Sequence, residues 1–265
     1  MNKNFCPPTV TIRIPHSLQK KIWAEVPKRY FRKPNGEPNE NEFINKILPN
    51  LLAFRNEKRG RLRKYLKDKI QASIAKGMQD SVLDLICESF DHVYFEKLDE
   101  ECDCTLTLRL DVDRHAMYAS LFDRLEHMGI ARSAYLRNLF CEYFNFSNEL
   151  RERICFKEEY DTLKTAMEEE KIFRFDVGGV AIDAIAVSLE FSVLESHEHW
   201  YLLYFRENKF DVLYALPLYL IRNVALLHEP QSTPPSEIAD RIHAIVESGI
   251  YCQKGEFNMR GENDA

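Results

Sequence analysis

At 265 residues, with 45% hydrophobic and 29% charged side chains, the chain has the composition of a water-soluble protein, with room for one large domain or two to three small ones. Its nine glycines form no GxGxxG or P-loop pattern, and no apolar run reaches about eighteen residues, which excludes those nucleotide sites and a membrane-spanning helix. The net charge of −6 hides an asymmetry: residues 1–76 hold 18 basic and 6 acidic side chains, the remainder 18 and 36, so a polyanion contact is expected near the N-terminus.

Residues 1–8 lack the apolar core of a signal peptide, so a cytoplasmic protein is expected. The next six, TVTIRI at 9–14, recur ninety-six residues later as TLTLRL at 105–110. A strand alternates faces with period two. Thr9, Thr11 and Arg13 therefore share one face, as do Thr105, Thr107 and Arg109. Each copy precedes a run that reads as two helices, a strand–helix–helix unit repeated twice. The two strands pair either within one chain or between two.

Leu18, Ile22 and Val26 form the stripe of an amphipathic helix, with Ser17 as its candidate cap and Pro27 as an interruption. KRYFRK at 28–33 follows, then the turn cluster PNGEP. Lys28, Arg29, Arg32 and Lys33 interleaved with Tyr30 and Phe31 are what a single-stranded nucleic-acid contact needs, cations for phosphates and rings for bases. Alternatively the rings tuck into the local core. Asn39 and Glu42 have the spacing of a capping box, and Phe43, Ile44, Ile47, Leu51 and Leu52 make the buried face of the next helix, which Pro49 is expected to kink or divide. Residues 56–98 read as one long helix or two. The first part carries Arg55, Lys58, Arg59, Arg61, Arg63, Lys64, Lys67 and Lys69, either a nucleic-acid surface or a solvated face.

After the second strand, residues 111–113 turn the chain, 116–128 form a helix and Gly129 stops it. A helix over 132–146 faces Tyr135, Leu136, Leu139, Phe140, Tyr143 and Phe144 inward, and 147–171 continue helically with an acidic end. Residues 172–227 alternate with period two between short turns, which predicts a small barrel or curled sheet. Thr233 and Pro234 open a last helix with Ile238, Ile242, Ile245 and Val246 on one face, and Gly249 ends it. Residues 253–265 are polar and expected to be disordered. The seven cysteines are scattered and expected to be reduced thiols, with a metal at Cys102-Asp103-Cys104 as the alternative; the expectation is no metal and no cofactor.

The two strand–helix–helix units resemble the ribbon-helix-helix fold, whose paired strands enter the major groove of DNA. The resemblance implies groove-facing roles for Thr9, Thr11, Arg13, Thr105, Thr107 and Arg109. Residues 129–137, GIARSAYLR, are similar to that family's turn into its second helix, whereas the first unit departs by its longer basic loop. The tripeptide Trp200-Tyr201-Leu202, followed by VLYALPLYLIRNV at 212–224, resembles the WYL domain, an SH3-like or Sm-like barrel. That resemblance implies a nucleic-acid or anionic-ligand site at His199, Trp200, Tyr201, Tyr204, Arg206 and Arg222, although the family's further arginines are replaced here by Pro217, Leu218, Tyr219 and Leu220. The order of the two is similar to accessory proteins of type VI-D CRISPR systems, which implies binding of single-stranded RNA and stimulation of an RNA-targeting effector.

The expected fold is thus α+β: a ribbon-helix-helix unit at 1–55, a basic helical connector at 56–100, a second unit at 101–148, an acidic helix at 149–171, a WYL-like barrel at 172–230 and a helix and tail at 231–265. The expected function is a non-enzymatic regulator that binds single-stranded RNA, as a homodimer; the alternative is a transcriptional regulator that binds duplex DNA with the barrel as sensor. His197 and His199 stand close together but with no nucleophile–base motif, so catalysis is not expected. The densest positive charge, at Lys28–Lys33 and Arg55–Lys69, lies beyond the ribbon, which makes the ribbon an assembly device and the loop and helix the expected contact.

Overall fold

The computed structural model describes residues 9–70, 81–83, 85–86, 101–194 and 197–259. The chain is of mixed α and β type and divides into two compact units, Met1–Phe146 and Ser147–Ala265.

In the first unit, β1 (Thr9–Ile14) and β2 (Cys104–Arg109) form a two-stranded antiparallel ribbon within the one chain, with Thr9 opposite Arg109, Thr11 opposite Thr107 and Arg13 opposite Thr105. Val10, Ile12, Ile14, Leu106 and Leu108 are buried beneath it. Helix α1 (His16–Lys28) lays Leu18, Ile22 and Val26 on this core. Its N-cap is Pro15, whose carbonyl accepts from the amides of Leu18 and Gln19; the cap expected at Ser17 is not made. Helix α2 (Glu40–Ile70) opens with the expected box, since Asn39 Oδ1 accepts from the Glu42 amide at 3.2 Å and Asn39 Nδ2 donates to Glu42 Oε2 at 2.8 Å.

Pro49 does not divide α2. A proline inside a helix orphans the carbonyl four residues back, here that of Asn45, and Arg114 Nη1 donates to that oxygen at 3.4 Å. The replacement donor removes part of the reason for a break. Of the connector expected over residues 56–98, the described part is the continuation of α2 and a short helical piece at 81–83 and 85–86; residues 71–80 and 87–98 lie outside the description. Helices α3 (His115–His127) and α4 (Arg132–Asn145) complete the unit, with Tyr118, Phe122, Leu125, Leu136, Leu139, Phe140 and Tyr143 buried. Gly129, at φ 68°, ends α3 in a Schellman motif: its amide donates to Glu126 O and that of Ile130 to Leu125 O.

The second unit begins with α5 (Asn148–Cys155) and α6 (Lys157–Glu168). A six-stranded sheet follows, made of β3 (Lys171–Val177), β4 (Val180–Phe191), β5 (Trp200–Arg206), β6 (Lys209–Pro217), β7 (Arg222–Pro230) and β8 (Glu256–Asn258) in the order β7-β3-β4-β5-β6-β8. All described pairings are antiparallel, and β7 and β8 are the sheet's edges. Gly178 and Gly179 both have positive φ, the turn a two-residue hairpin requires between Val177 and Val180.

A 3-10 turn, Leu218–Leu220, joins β6 to β7. Helix α7 (Ala239–Ser248) buries Ile245 and packs Ile242 and Val246 on the cluster of Leu203, Phe205 and Leu213. The C-terminal region departs from its expected disorder. Residues 256–258 form β8, opposite Val212–Tyr214 of β6, and Phe257 and Met259 are buried. Two apolar side chains in a polar stretch are enough to seat an edge strand when the partner strand already exists. Among the described residues no helix is long and apolar enough to cross a membrane.

Candidate nucleic-acid interface

Six of the nominated side chains form the outer face of the ribbon. Thr9, Thr11, Arg13, Thr105, Thr107 and Arg109 are all exposed, with an arginine at each end and the two central threonines opposite each other. The end at Arg109 is fixed by α2: Asn41 Oδ1 accepts from the Arg109 amide at 2.9 Å, and Asn45 Nδ2 donates to its carbonyl at 2.8 Å. Neither asparagine stands out in the sequence, because nothing local says that a helix face meets a strand end 64 to 68 residues away.

The KRYFRK cluster separates into two populations. Tyr30 adopts φ 60° as the residue after the C-cap of α1; its amide donates to Pro27 O and that of Phe31 to Val26 O, a second Schellman motif. The turn swings Phe31 into the core, where it is 6% exposed and meets Phe43 edge-on at 5.5 Å. Arg29 is buried too, at 1% exposure, with Nη2 2.9 Å from Glu25 Oε1 and Nε donating to the same oxygen. Both are thus removed from the expected contact: Phe31 is the apolar residue that closes the motif, and Arg29 neutralises a buried carboxylate.

Lys28, Tyr30, Arg32 and Lys33 remain exposed. Arg32 donates to Gly36 O at 3.1 Å and Lys33 reaches Glu37 at 3.3 Å, which folds the tip of the loop on itself. The hydrogen bond with Asn35, then Lys33, holds the Glu37 carboxyl below the usual carboxylate range.

Beyond this loop, α2 leaves the core. Phe54 and Phe146 meet edge-on at 5.6 Å, and Lys58 Nζ lies 4.8 Å and 5.0 Å from their centroids. From residue 56 to 68 no side chain is buried. Lys58, Arg61, Lys64 and Lys67 are exposed and Arg59 and Arg63 half-buried, with Tyr65 among them at 60% exposure. Two exposed rings escaped the sequence reading, Tyr65 and, on α1, Trp23 at 46%. Trp23 follows Ile22 directly and so lies off the Leu18-Ile22-Val26 stripe; an aromatic on the polar side of a helix was the available signal.

In the second unit the WYL tripeptide is core. Trp200, Tyr201 and Leu202 are 8%, 5% and 0% exposed. Trp200 meets Tyr160 at 5.0 Å and Phe191 at 5.7 Å, and Tyr201 meets Tyr251 at 5.6 Å. The tripeptide is fastened to α5: Trp200 Nε1 donates to Glu149 O at 3.1 Å, its amide donates to Glu152 Oε2 at 3.2 Å, and His199 Nδ1 lies 3.2 Å from Glu152 Oε1. Glu152 is wholly buried.

Tyr204 is also core, stacked on Tyr214 at 5.3 Å, and burial pushes its hydroxyl up to about 12. Arg222 Nη1 donates to the carbonyls of Tyr219 and Ile221, so it caps the 3-10 turn. Arg206 and Arg222 are both exposed cations on rings, 5.0 Å from the Tyr214 centroid and 5.9 Å from that of Phe156. The nominated ligand set is therefore divided between core and edge, because a strand alternates faces and β5 is covered on both.

Cys104 Sγ lies 3.5 Å from His16 Nδ1, and burial, then Asp103, pushes its thiol up. Among the described residues no group of three or more His, Cys, Asp or Glu is placed to hold a metal ion.

No protein-family model matches this chain, and no curated protein matches it. Among solved structures, one described as a crystal structure of a CRISPR Cas-related protein is similar, with a TM-score of 0.62 at 10% identity over 94% of this chain and 73% of that one. At that identity the likeness is one of fold.

Proposed function

We propose that the chain is a non-enzymatic accessory protein of a CRISPR system that binds single-stranded RNA through its first unit and modulates an RNA-guided, RNA-targeting effector. The observation that carries the reading is the second half of α2, where thirteen consecutive residues, 56–68, bury nothing and display cations around the helix. A helix stabilised by packing turns an apolar stripe inward. The apolar Leu62 and Leu66 of this half are only half-covered, as are Arg59 and Arg63, so its composition serves a surface role. The exposed Lys28, Tyr30, Arg32 and Lys33 add a ring and further cations. The fold likeness to a CRISPR Cas-related protein supports the setting. The ribbon with two helices after each strand supports the ribbon-helix-helix reading. The sheet order β7-β3-β4-β5-β6, with a 3-10 turn before β7, supports a WYL-type, Sm-like second unit.

A second reading has its own observation. The six outward side chains of the ribbon are exposed in antiparallel register with an arginine at each end, the shape a two-stranded ribbon presents to the major groove of duplex DNA. Titrating the full chain with a single-stranded RNA and a duplex DNA of equal length over one salt series decides. Phosphate contacts weaken linearly in log salt for both, so the affinity ratio at moderate salt is the measure. A preference for RNA, lost in Arg61→Glu/Lys64→Glu, supports the first reading. Tighter duplex binding, lost in Arg13→Ala/Arg109→Ala, overturns it.

A further inference from the structure

Helix α1 buries Leu18, Ile22 and Val26 and leaves Lys20, Lys21 and Lys28 exposed. Trp23 shares the exposed side, with 46% of its surface in water. Packing does not account for that placement, since an indole is the largest apolar side chain and covers best when inward. Seven residues on, just past the C-cap of α1, stands Tyr30, 47% exposed.

The backbone at Tyr30 is the second observation. It takes φ 60° in a Schellman motif that the chain builds twice, once after each ribbon strand's first helix. At the other occurrence the same place is Gly129, φ 68°, which meets the left-handed geometry without strain. At Tyr30 the chain holds a bulky ring in a conformation such residues rarely adopt. Strain maintained at an exposed position points to use of the side chain. Lys20, Lys21, Lys28, Arg32 and Lys33, all exposed, accompany the two rings.

We propose that Trp23 and Tyr30 form a stacking platform that holds two unpaired bases of one RNA strand, with the neighbouring cations on its phosphates. Charge complementarity fits a polyanion, and ring faces stack any base without reading sequence. Trp23 lies within α1 and Tyr30 beyond its C-cap, so the two rings are offered from different backbone segments, each to a separate base. This rests on the reading of the first unit as a single-strand binder and adds where the bases lie.

The chain contains two tryptophans, and Trp200 is buried away from a bound strand, so a change of emission on binding reports chiefly on Trp23. The full chain is titrated with a fluorophore-labelled twenty-nucleotide oligouridylate, following strand anisotropy and, with unlabelled strand, protein emission. Quenching in step with binding is expected. Trp23→Phe keeps most of the affinity and loses the quench, and Trp23→Ala loses about 5- to 100-fold. Binding with unchanged emission overturns the platform and leaves the RNA-binding reading standing, as does a quench that persists in Trp23→Phe. Absence of binding in the unmodified protein overturns both. The emission arm needs no variant, so a folding defect in Trp23→Ala does not protect the idea.

Discussion

Replacing Tyr30 separately by alanine and by glycine distinguishes the cost of its backbone from the use of its ring. Both variants remove the ring, which is 47% exposed, so both lose the same partial burial. They differ in the left-handed backbone at φ 60°. A residue with a Cβ there costs about 1–2 kcal/mol, and glycine's greater freedom in the unfolded chain returns about 0.5–1 kcal/mol of that. Tyr30→Gly is therefore expected to be more stable than Tyr30→Ala by about 1 kcal/mol. For a unit of the size of Met1–Phe146 this is about 3 °C in Tm, read by circular dichroism or calorimetry. Single-stranded RNA affinity, read by anisotropy, is expected to fall equally in both, by about 1–3 kcal/mol if one base stacks on the ring. The glycine variant would then be the steadier protein and no better a binder. A glycine variant less stable than the alanine one refutes the strain argument. Unmodified RNA affinity in both refutes a role for the ring.

Arg29→Met, which takes the guanidinium from the buried Glu25 carboxylate, should cost about 3–5 kcal/mol in urea unfolding, and adding Glu25→Leu should recover most of it. RNA affinity of the folded double variant should match the unmodified protein; a loss would return Arg29 to the contact. Glu152→Ala leaves the buried amide of Trp200 without one of its acceptors and should cost about 1–3 kcal/mol, while Glu152→Gln, which keeps an acceptor, should cost less in the same assay. Phe257→Ala should destabilise the second unit by about 3–5 kcal/mol and expose the sheet edge at β6 to hydrogen exchange; an unaffected exchange pattern would place β8 outside the core. Asp183 pairs with Arg174 across β3 and β4, and that hydrogen bond holds its carboxyl below the usual range. A depressed carboxylate contributes stability above its unfolded value and loses it as pH falls through the folded value. The difference in Tm between the protein and Asp183→Asn should therefore be small at neutral pH and shrink as pH falls below the usual carboxylate range.

The ribbon was legible because its information is local: three threonine or arginine side chains alternating with three aliphatics, written twice. The capping box at Asn39 and Glu42 and the turn at Gly178-Gly179 were legible for the same reason. The KRYFRK cluster was not. A single left-handed residue rotates the chain, so Tyr30 stays in water while Arg29 and Phe31, its neighbours on either side, are buried. Six residues that look alike as a string become a core ring, a buried cation and four surface side chains.

Composition and period-two and period-four spacing therefore set the mixed α and β type, the strand pair and the basic character of the N-terminal third, since each depends on residues within a few positions of one another. Tertiary structure alone decided the rest, through partners far along the chain. Arg114 supplies the donor that lets α2 run through Pro49, from 69 residues beyond the carbonyl it reaches. Glu152 fastens Trp200 from 48 residues away and makes the WYL tripeptide core. The ready-made edge of β6 turns a polar tail into β8. In each case the deciding free energy belongs to a buried polar group finding its partner or an apolar one finding cover, and neither is written beside the residue that needs it.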